Sequence, residues 1–106
     1  MERERLLERL RARLETLERL EPRAPGDLLR ASVILQHTER ELGGYAAMAR
    51  RHELLDPLKQ IAACASALYA TYATIALNGG GEEIIERARK DLKEAIKALR
   101  EILTRL

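Results

Sequence analysis

The feature that most constrains this chain is a run of seventeen residues, 61–77, that carries no charge. Elsewhere the sequence is dense with charge, since Asp, Glu, Lys and Arg make up 34% of its 106 residues. A charge-free helix in a water-soluble protein has to be covered on most of its sides. Core helices are usually filled by Leu and Ile, whereas this run holds seven alanines, two threonines and a serine. We therefore expect a buried helix with a gap beside it, which a close neighbouring helix or a bound ligand would fill.

Length and composition narrow the class of protein. The length fits a single domain, 1–106, with a modest core. The net charge is +2 with both signs interspersed, which argues against a nucleic-acid partner. Met1 opens directly into charged residues, so no signal peptide is expected, and the uncharged run is short and only weakly apolar for a membrane span. We expect a monomer that binds a small-molecule cofactor, with no membrane partner.

Hydrophobic residues that recur at steps of three and four predict four helices. Their predicted ranges are 2–20, 25–55, 57–77 and 82–106. Pro25 suits the first turn of the second helix, Asp56-Pro57 is a typical helix start, and the glycines that follow Asn78 are a typical stop. Short connections make consecutive helices antiparallel. The predicted fold is therefore all-α, an up-down-up-down antiparallel four-helix bundle.

Two adjacent glycines, Gly43 and Gly44, lie within the second predicted helix. The residues of that helix that are expected to face the core keep their three- and four-residue spacing across the pair, from Leu28 to His52. We therefore expect one continuous helix, and a kink at the pair is the alternative. Each glycine costs about 1 kcal/mol relative to Ala in a helix interior. A pair therefore indicates that another group approaches the backbone closely.

Antiparallel pairing of the second and third helices around Asp56 places Cys64 level with Ala47. Small residues then face one another across the two helices, and several of them together could open a pocket of about 300–1,000 Å³. The alternative is that small residues simply let the helices pack closely, with no ligand. The residues expected to line the pocket are Gly43, Gly44, Ala47, Met48, Arg50, Arg51, Ala63, Ala67, Leu68, Ala95 and Leu99.

Capping residues, proline starts, glycine stops and heptad seams all agree with one fold, and the chain has no Phe and no Trp. In this respect the whole sequence resembles computationally designed helical bundles. The small-residue band with a lone Cys64 resembles, in particular, designed thiolate-ligated haem-binding bundles, although the natural haem-thiolate signature is missing. The resemblance implies haem b as cofactor, Cys64 as the axial ligand of its iron, and Arg50 and Arg51 near its propionates. Bound haem could support peroxidase- or oxygenase-like chemistry.

Other interpretations of the same residues stay open. A non-metal, plate-like small molecule could occupy the pocket, or the Ala-rich face of the third helix could drive self-association without any ligand. His52 could ligate iron in place of Cys64 or act as its base, but no third group is placed to orient it, so no catalytic residue is predicted. Tyr45 and Tyr69 could line the pocket, whereas His37 is expected to lie far from it.

Overall fold

The computed structural model describes residues 2–106 as four α-helices that form a bundle. The helices are α1 (Glu2–Arg19), α2 (Pro25–Met48), α3 (Leu55–Asn78) and α4 (Glu82–Arg105), and a 3₁₀ turn, His52–Leu54, precedes α3. The predicted all-α, up-down-up-down four-helix bundle is confirmed. Gly43 and Gly44 lie inside α2 without interrupting it, which confirms the prediction of a continuous helix at that point.

The helices do not contribute equally to the packing. α3 packs extensively against both α2 and α4, whereas α1 contacts α4 and α2 along shorter stretches. The core is built mostly from Leu and Ile, and its fully buried members include Leu10, Leu17, Leu28, Leu35, Leu42, Leu54, Ile61, Leu68, Leu99 and Ile102. Because α1 is the least packed helix, open grooves run along its edges.

The N-terminal end of α2 is built as the sequence predicts. Pro25 stands in the first turn, where its missing backbone N–H would have had no helical partner. The Asp27 carboxylate accepts hydrogen bonds from the backbone amides of Arg23 and Ala24, each at 3.0 Å. These two hydrogen bonds lower the pKa of Asp27 and fix the point at which the chain turns into α2.

The predicted C-terminal end of the second helix is wrong, because α2 ends at Met48 and not at residue 55. Arg50 adopts a positive φ of 55°, and the amide of Arg51 then donates to the carbonyl of Ala46 at 2.9 Å. This closing turn usually holds glycine at the residue with positive φ. An arginine occupies the position here, so the sequence gives no stop signal.

The start of α3 also differs from the prediction. The helix begins at Leu55, so Asp56 lies inside its first turn and does not cap it. Pro57 is tolerated in that turn because the first amides of a helix have no intrahelical acceptor. The C-terminal end matches the expected glycine stop: Gly79 takes a φ of 72° and its amide donates to the carbonyl of Ile75 at 2.8 Å.

Candidate functional site

The small residues at the interface between α2 and α3 are used for close packing. Ala31, Ser32 and Ala46 of α2 and Ala65 of α3 are all buried. The hydroxyl of Ser32 donates a 2.8 Å hydrogen bond to the carbonyl of Ala65. A side chain as short as serine reaches the neighbouring helix backbone only where the two helices lie close together. At this interface the structure therefore favours the alternative without a ligand.

The residues expected to line one pocket are not brought together. Leu68, Ala95 and Leu99 are fully buried in the core. The other predicted lining residues lie at or near the surface, half-buried or exposed: Gly43, Gly44, Ala47, Met48, Arg50, Arg51, Ala63 and Ala67. None of the four best-defined grooves in residues 2–106 is lined by residues of both sets.

Cys64 lies on the side of α3 that faces α4, and only 8% of the residue is exposed. Burial raises the pKa of its thiol, and the nearby carboxylates Asp91 and Glu94 raise it further. Cys64 does not line any of the four best-defined grooves in residues 2–106. The burial that raises its pKa favours the protonated thiol over the thiolate that ligation of haem iron requires. Haem ligation by Cys64 stays a prediction to which this arrangement lends no support.

The two arginines that were expected near the haem propionates, and the two histidines, either make other contacts or lie at the surface. Arg51 forms an ion pair with Glu53 and donates a 2.6 Å hydrogen bond to the carbonyl of Arg105, so it covers the C-terminal end of α4. Arg50 is exposed in the turn after α2. His37 and His52 are exposed as well, and His52 lies in the 3₁₀ turn, not on the seam of a helix. Residues 2–106 contain no group of three or more His, Cys, Asp or Glu side chains that could hold a metal ion.

An open groove of about 610 Å³ runs between the N-terminal half of α1 and the C-terminal half of α2. We call it the α1–α2 groove. Its volume falls in the range of about 300–1,000 Å³ that is typical of small-molecule sites. It is lined by Glu2, Arg5, Leu6, Arg9, Arg40, Glu41, Gly44, Tyr45, Met48 and Ala49. Of the predicted lining residues, the groove contains Gly44 and Met48. It also contains Tyr45, which the sequence analysis gave as a possible pocket residue.

The glycine pair of α2 has no structural partner within the described chain. Apart from its chain neighbours and the backbone of the surrounding helix turns, a Cβ atom added at Gly43 or at Gly44 would meet no atom of residues 2–106 within 4 Å. Neither glycine therefore makes room for a neighbouring helix, and each still costs about 1 kcal/mol in helix propensity. The missing side chain of Gly44 enlarges the α1–α2 groove instead.

The charges of the α1–α2 groove are unequal. Glu41 accepts hydrogen bonds from Arg9 and Arg13, both at 2.9 Å, so two cations share one carboxylate. Arg5 and Arg40 make no ion pair with any of residues 2–106. Guanidinium groups suit carboxylate, sulfonate and phosphate groups because their donors form a planar fork. The groove thus presents unpaired cations beside apolar surface.

Pairing of the first and second helices by residue number left the α1 side of the pocket partly open, with Arg5 near it, and no α1 residue was predicted to line the pocket. The structure places Arg5, Leu6 and Arg9 at this side, beside the buried Leu10. Compared with models of known protein families, with curated proteins and with solved structures, the chain matches none. The case for a site therefore depends on the geometry alone.

Proposed function

We propose that this protein binds an anionic, largely apolar small molecule in the α1–α2 groove. The observation that carries the proposal is the glycine pair of α2: Gly44 lines the groove, and a Cβ atom at either glycine would contact no other helix. Two interior glycines reduce helix stability by about 2 kcal/mol together. A ligand that lies against the helix backbone at Gly44 would explain why glycine stands there despite the loss of helix stability, since only glycine permits such a close approach.

The walls of the groove indicate the chemistry of the ligand. Leu6, Tyr45 and Met48 provide apolar surface, and Met48 is 82% exposed, so it has packing capacity that the bundle does not use. Arg5 and Arg40 supply cations at the rim. A ligand with a flat apolar body and one acidic group would satisfy both features.

A second groove, between α1 and α4, is a weaker candidate. Its volume is about 510 Å³, but Arg89, one of the three cations that line it, already has hydrogen-bond partners within the chain. Arg89 donates hydrogen bonds of 3.0 and 2.7 Å to the carbonyl of Pro22 and forms an ion pair with Glu86. It stabilises the connection between α1 and α2 and has little capacity left for an anion.

Haem b belongs to the proposed class of ligands, because it joins two propionates to an apolar plate. In the α1–α2 groove it would contact Tyr45 and Met48 and not Cys64. Hemin that binds in this groove should therefore show the same visible spectrum in wild type and in Cys64→Ala. A spectrum that depends on Cys64 would instead support thiolate ligation and remove the groove as the haem site.

The proposal is tested with two fluorescent probes that differ in one group: anilinonaphthalene sulfonate, which is anionic, and N-phenyl-1-naphthylamine, which lacks the sulfonate. Gly44→Leu should fill the groove and weaken binding of both probes at least tenfold. Ala47→Leu is the matched control, because Ala47 is exposed on the same helix and does not line the groove, and it should bind as wild type does.

The charge requirement is tested separately with Arg40→Gln. An exposed ion pair is worth at most about 1 kcal/mol, so this variant should bind the sulfonate probe about fivefold more weakly and the neutral probe unchanged. Equal losses for the two probes would show that Arg40 acts only through packing. Full binding of both probes by Gly44→Leu would contradict the proposed site.

A further inference from the structure

The uncharged run of the sequence is not explained by burial. The segment His52–Asn78 is long and apolar enough to cross a membrane by length and composition, yet only 28% of its most apolar window is buried within the protein. Five exposed residues of α3 recur at steps of three and four: Ala63, Ser66, Ala70, Thr74 and Leu77. We call these five residues the α3 seam. Leu77 is 84% exposed, and no member of the seam is charged.

The spacing of the α3 seam indicates what covers it. The steps of three, four, four and three residues keep all five positions on one face of α3 and are symmetric about Ala70, so this face can lie along another helix over its whole length. Small residues at such positions let two helix backbones approach closely. The occupant that fits is therefore a helix that runs along α3, because a compact ligand would not need a repeat that continues for about 21 Å.

We propose that the α3 seam pairs with the α3 seam of a second copy of this chain, in antiparallel orientation, around a two-fold axis at Ala70. In this arrangement residues whose numbers add up to 140 lie level with each other. Leu77 of one copy then fills the space over Ala63 of the other, and Ser66 lies level with Thr74. Two-fold symmetry makes each of these contacts occur twice, so the Leu77 side chain of each copy faces the small Ala63 of the other.

The charges at the ends of α3 favour the antiparallel orientation. Lys59, exposed near the N-terminal end of α3, comes just beyond Asn78, the C-terminal end of the second α3. The partial negative charge of a helix C-terminus favours a cation there. A parallel pair would instead bring Lys59 against Lys59 and Leu77 against Leu77.

The size of the contact makes the association weak. A standard interface buries about 800 Å² per partner, and one helix seam of small residues provides less than that. The dimer therefore belongs to the transient class, and the chain is monomeric when dilute. The sequence predicts a monomer, and the proposal departs from that prediction by adding a dimer at high concentration.

The test is sedimentation velocity of the full chain over a range of concentrations. Wild type should shift reversibly from monomer to dimer. Ala70→Glu brings two like charges together at the axis and should stay monomeric at every concentration, while its circular dichroism shows that the helices are intact. Ala12→Glu, which places the same charge on the exposed face of α1, should dimerise as wild type does. A wild type that stays monomeric throughout would overturn the proposal.

Cysteine substitutions test the orientation. Under mild oxidation Ala70→Cys should form a disulfide-linked dimer, whereas Ala63→Cys should not, because position 63 faces position 77 of the second copy. Cross-linking of both variants would contradict the antiparallel pair. Vesicles of phosphatidylcholine provide the last check: flotation of wild type with the vesicles, abolished by Ala70→Glu and without dimerisation in solution, would assign the seam to a membrane and overturn the proposal.

Discussion

Both the interface between α2 and α3 and the α1–α2 groove contain small residues of α2, and the two regions use them in opposite ways. At the interface Ser32 and Ala65 are buried and hydrogen-bonded across the two helices at 2.8 Å. In the groove Gly44 is exposed, and no other helix of residues 2–106 has an atom within 4 Å of where its Cβ would be. The same kind of sequence thus gives tight packing in one region and open space in the other.

The difference lies in the neighbours. α3 lies along the whole buried face of α2, so small residues on that face draw the two helices together. α1 contacts α2 only sparingly, and Arg5, Arg9 and Arg40 keep polar ends at the surface there. A small residue closes a gap only where the facing helix is free to move in, which explains why residue size alone did not locate the space.

The largest expected effect tests the packed region. Ala65→Leu adds three carbon atoms where α2 and α3 touch, and overpacking of this kind costs typically about 1–3 kcal/mol. The free energy of unfolding, measured by urea denaturation, should fall by about that amount. Ala76→Leu, on the exposed side of the same helix, should leave it nearly unchanged. Equal stability of the two variants would mean that the interface is loose.

The second-largest effect is a rise in the free energy of unfolding, and it tests the open space at the glycine pair of α2. The double variant Gly43→Ala with Gly44→Ala should raise the free energy of unfolding by about 2 kcal/mol, because alanine is the better helix former and both Cβ atoms have room. A loss of stability in urea would show that another part of the chain occupies this space.

A smaller effect tests where α2 ends, between the two regions. Arg50 has a positive φ, a conformation that costs a non-glycine residue about 1–2 kcal/mol, so Arg50→Gly should stabilise the protein by about 1 kcal/mol. If α2 instead continued to residue 55, the same change would place glycine in a helix interior and destabilise it by about 1 kcal/mol. Thermal denaturation distinguishes the two signs.

The smallest effect concerns the N-terminal end of α2, far from both regions. Hydrogen bonds from Arg23 and Ala24 lower the pKa of Asp27 below its ordinary value. The stability that this provides is present above about pH 4, the unfolded pKa, and is lost as the pH falls through the folded pKa. Asp27→Asn should flatten the acid side of the stability profile slightly, whereas a profile identical to wild type would exclude the cap.

Most of the fold was predictable because its signals are local. The hydrophobic period, Pro25 and Gly79 each act within a few residues, and the structure places the four helices close to the predicted ranges. The end of α2 was not predictable in the same way, because Arg50 occupies a turn position that normally holds glycine. The three- and four-residue spacing continues to His52 in the sequence, although α2 ends at Met48.

The candidate site was less predictable because it depends on the relative positions of helices. The glycine pair was recognised as unusual, and Gly44, Tyr45 and Met48 do line a groove. Pairing by residue number placed Cys64 opposite Ala47 but did not show that Cys64 turns towards Asp91 and Glu94 of α4. The arginines of α1 that complete the groove carry no pattern of their own in the sequence.

The most direct test of the account is a ¹⁵N–¹H NMR titration of the protein with anilinonaphthalene sulfonate, kept at a protein concentration low enough to favour the monomer. Amide shifts should change around Leu6, Gly44, Tyr45 and Met48 and stay fixed around Ser32, Cys64 and Ala65. Shifts that concentrate instead around Cys64 would show that the ligand enters between α3 and α4, and would contradict the assignment of the site to the α1–α2 groove.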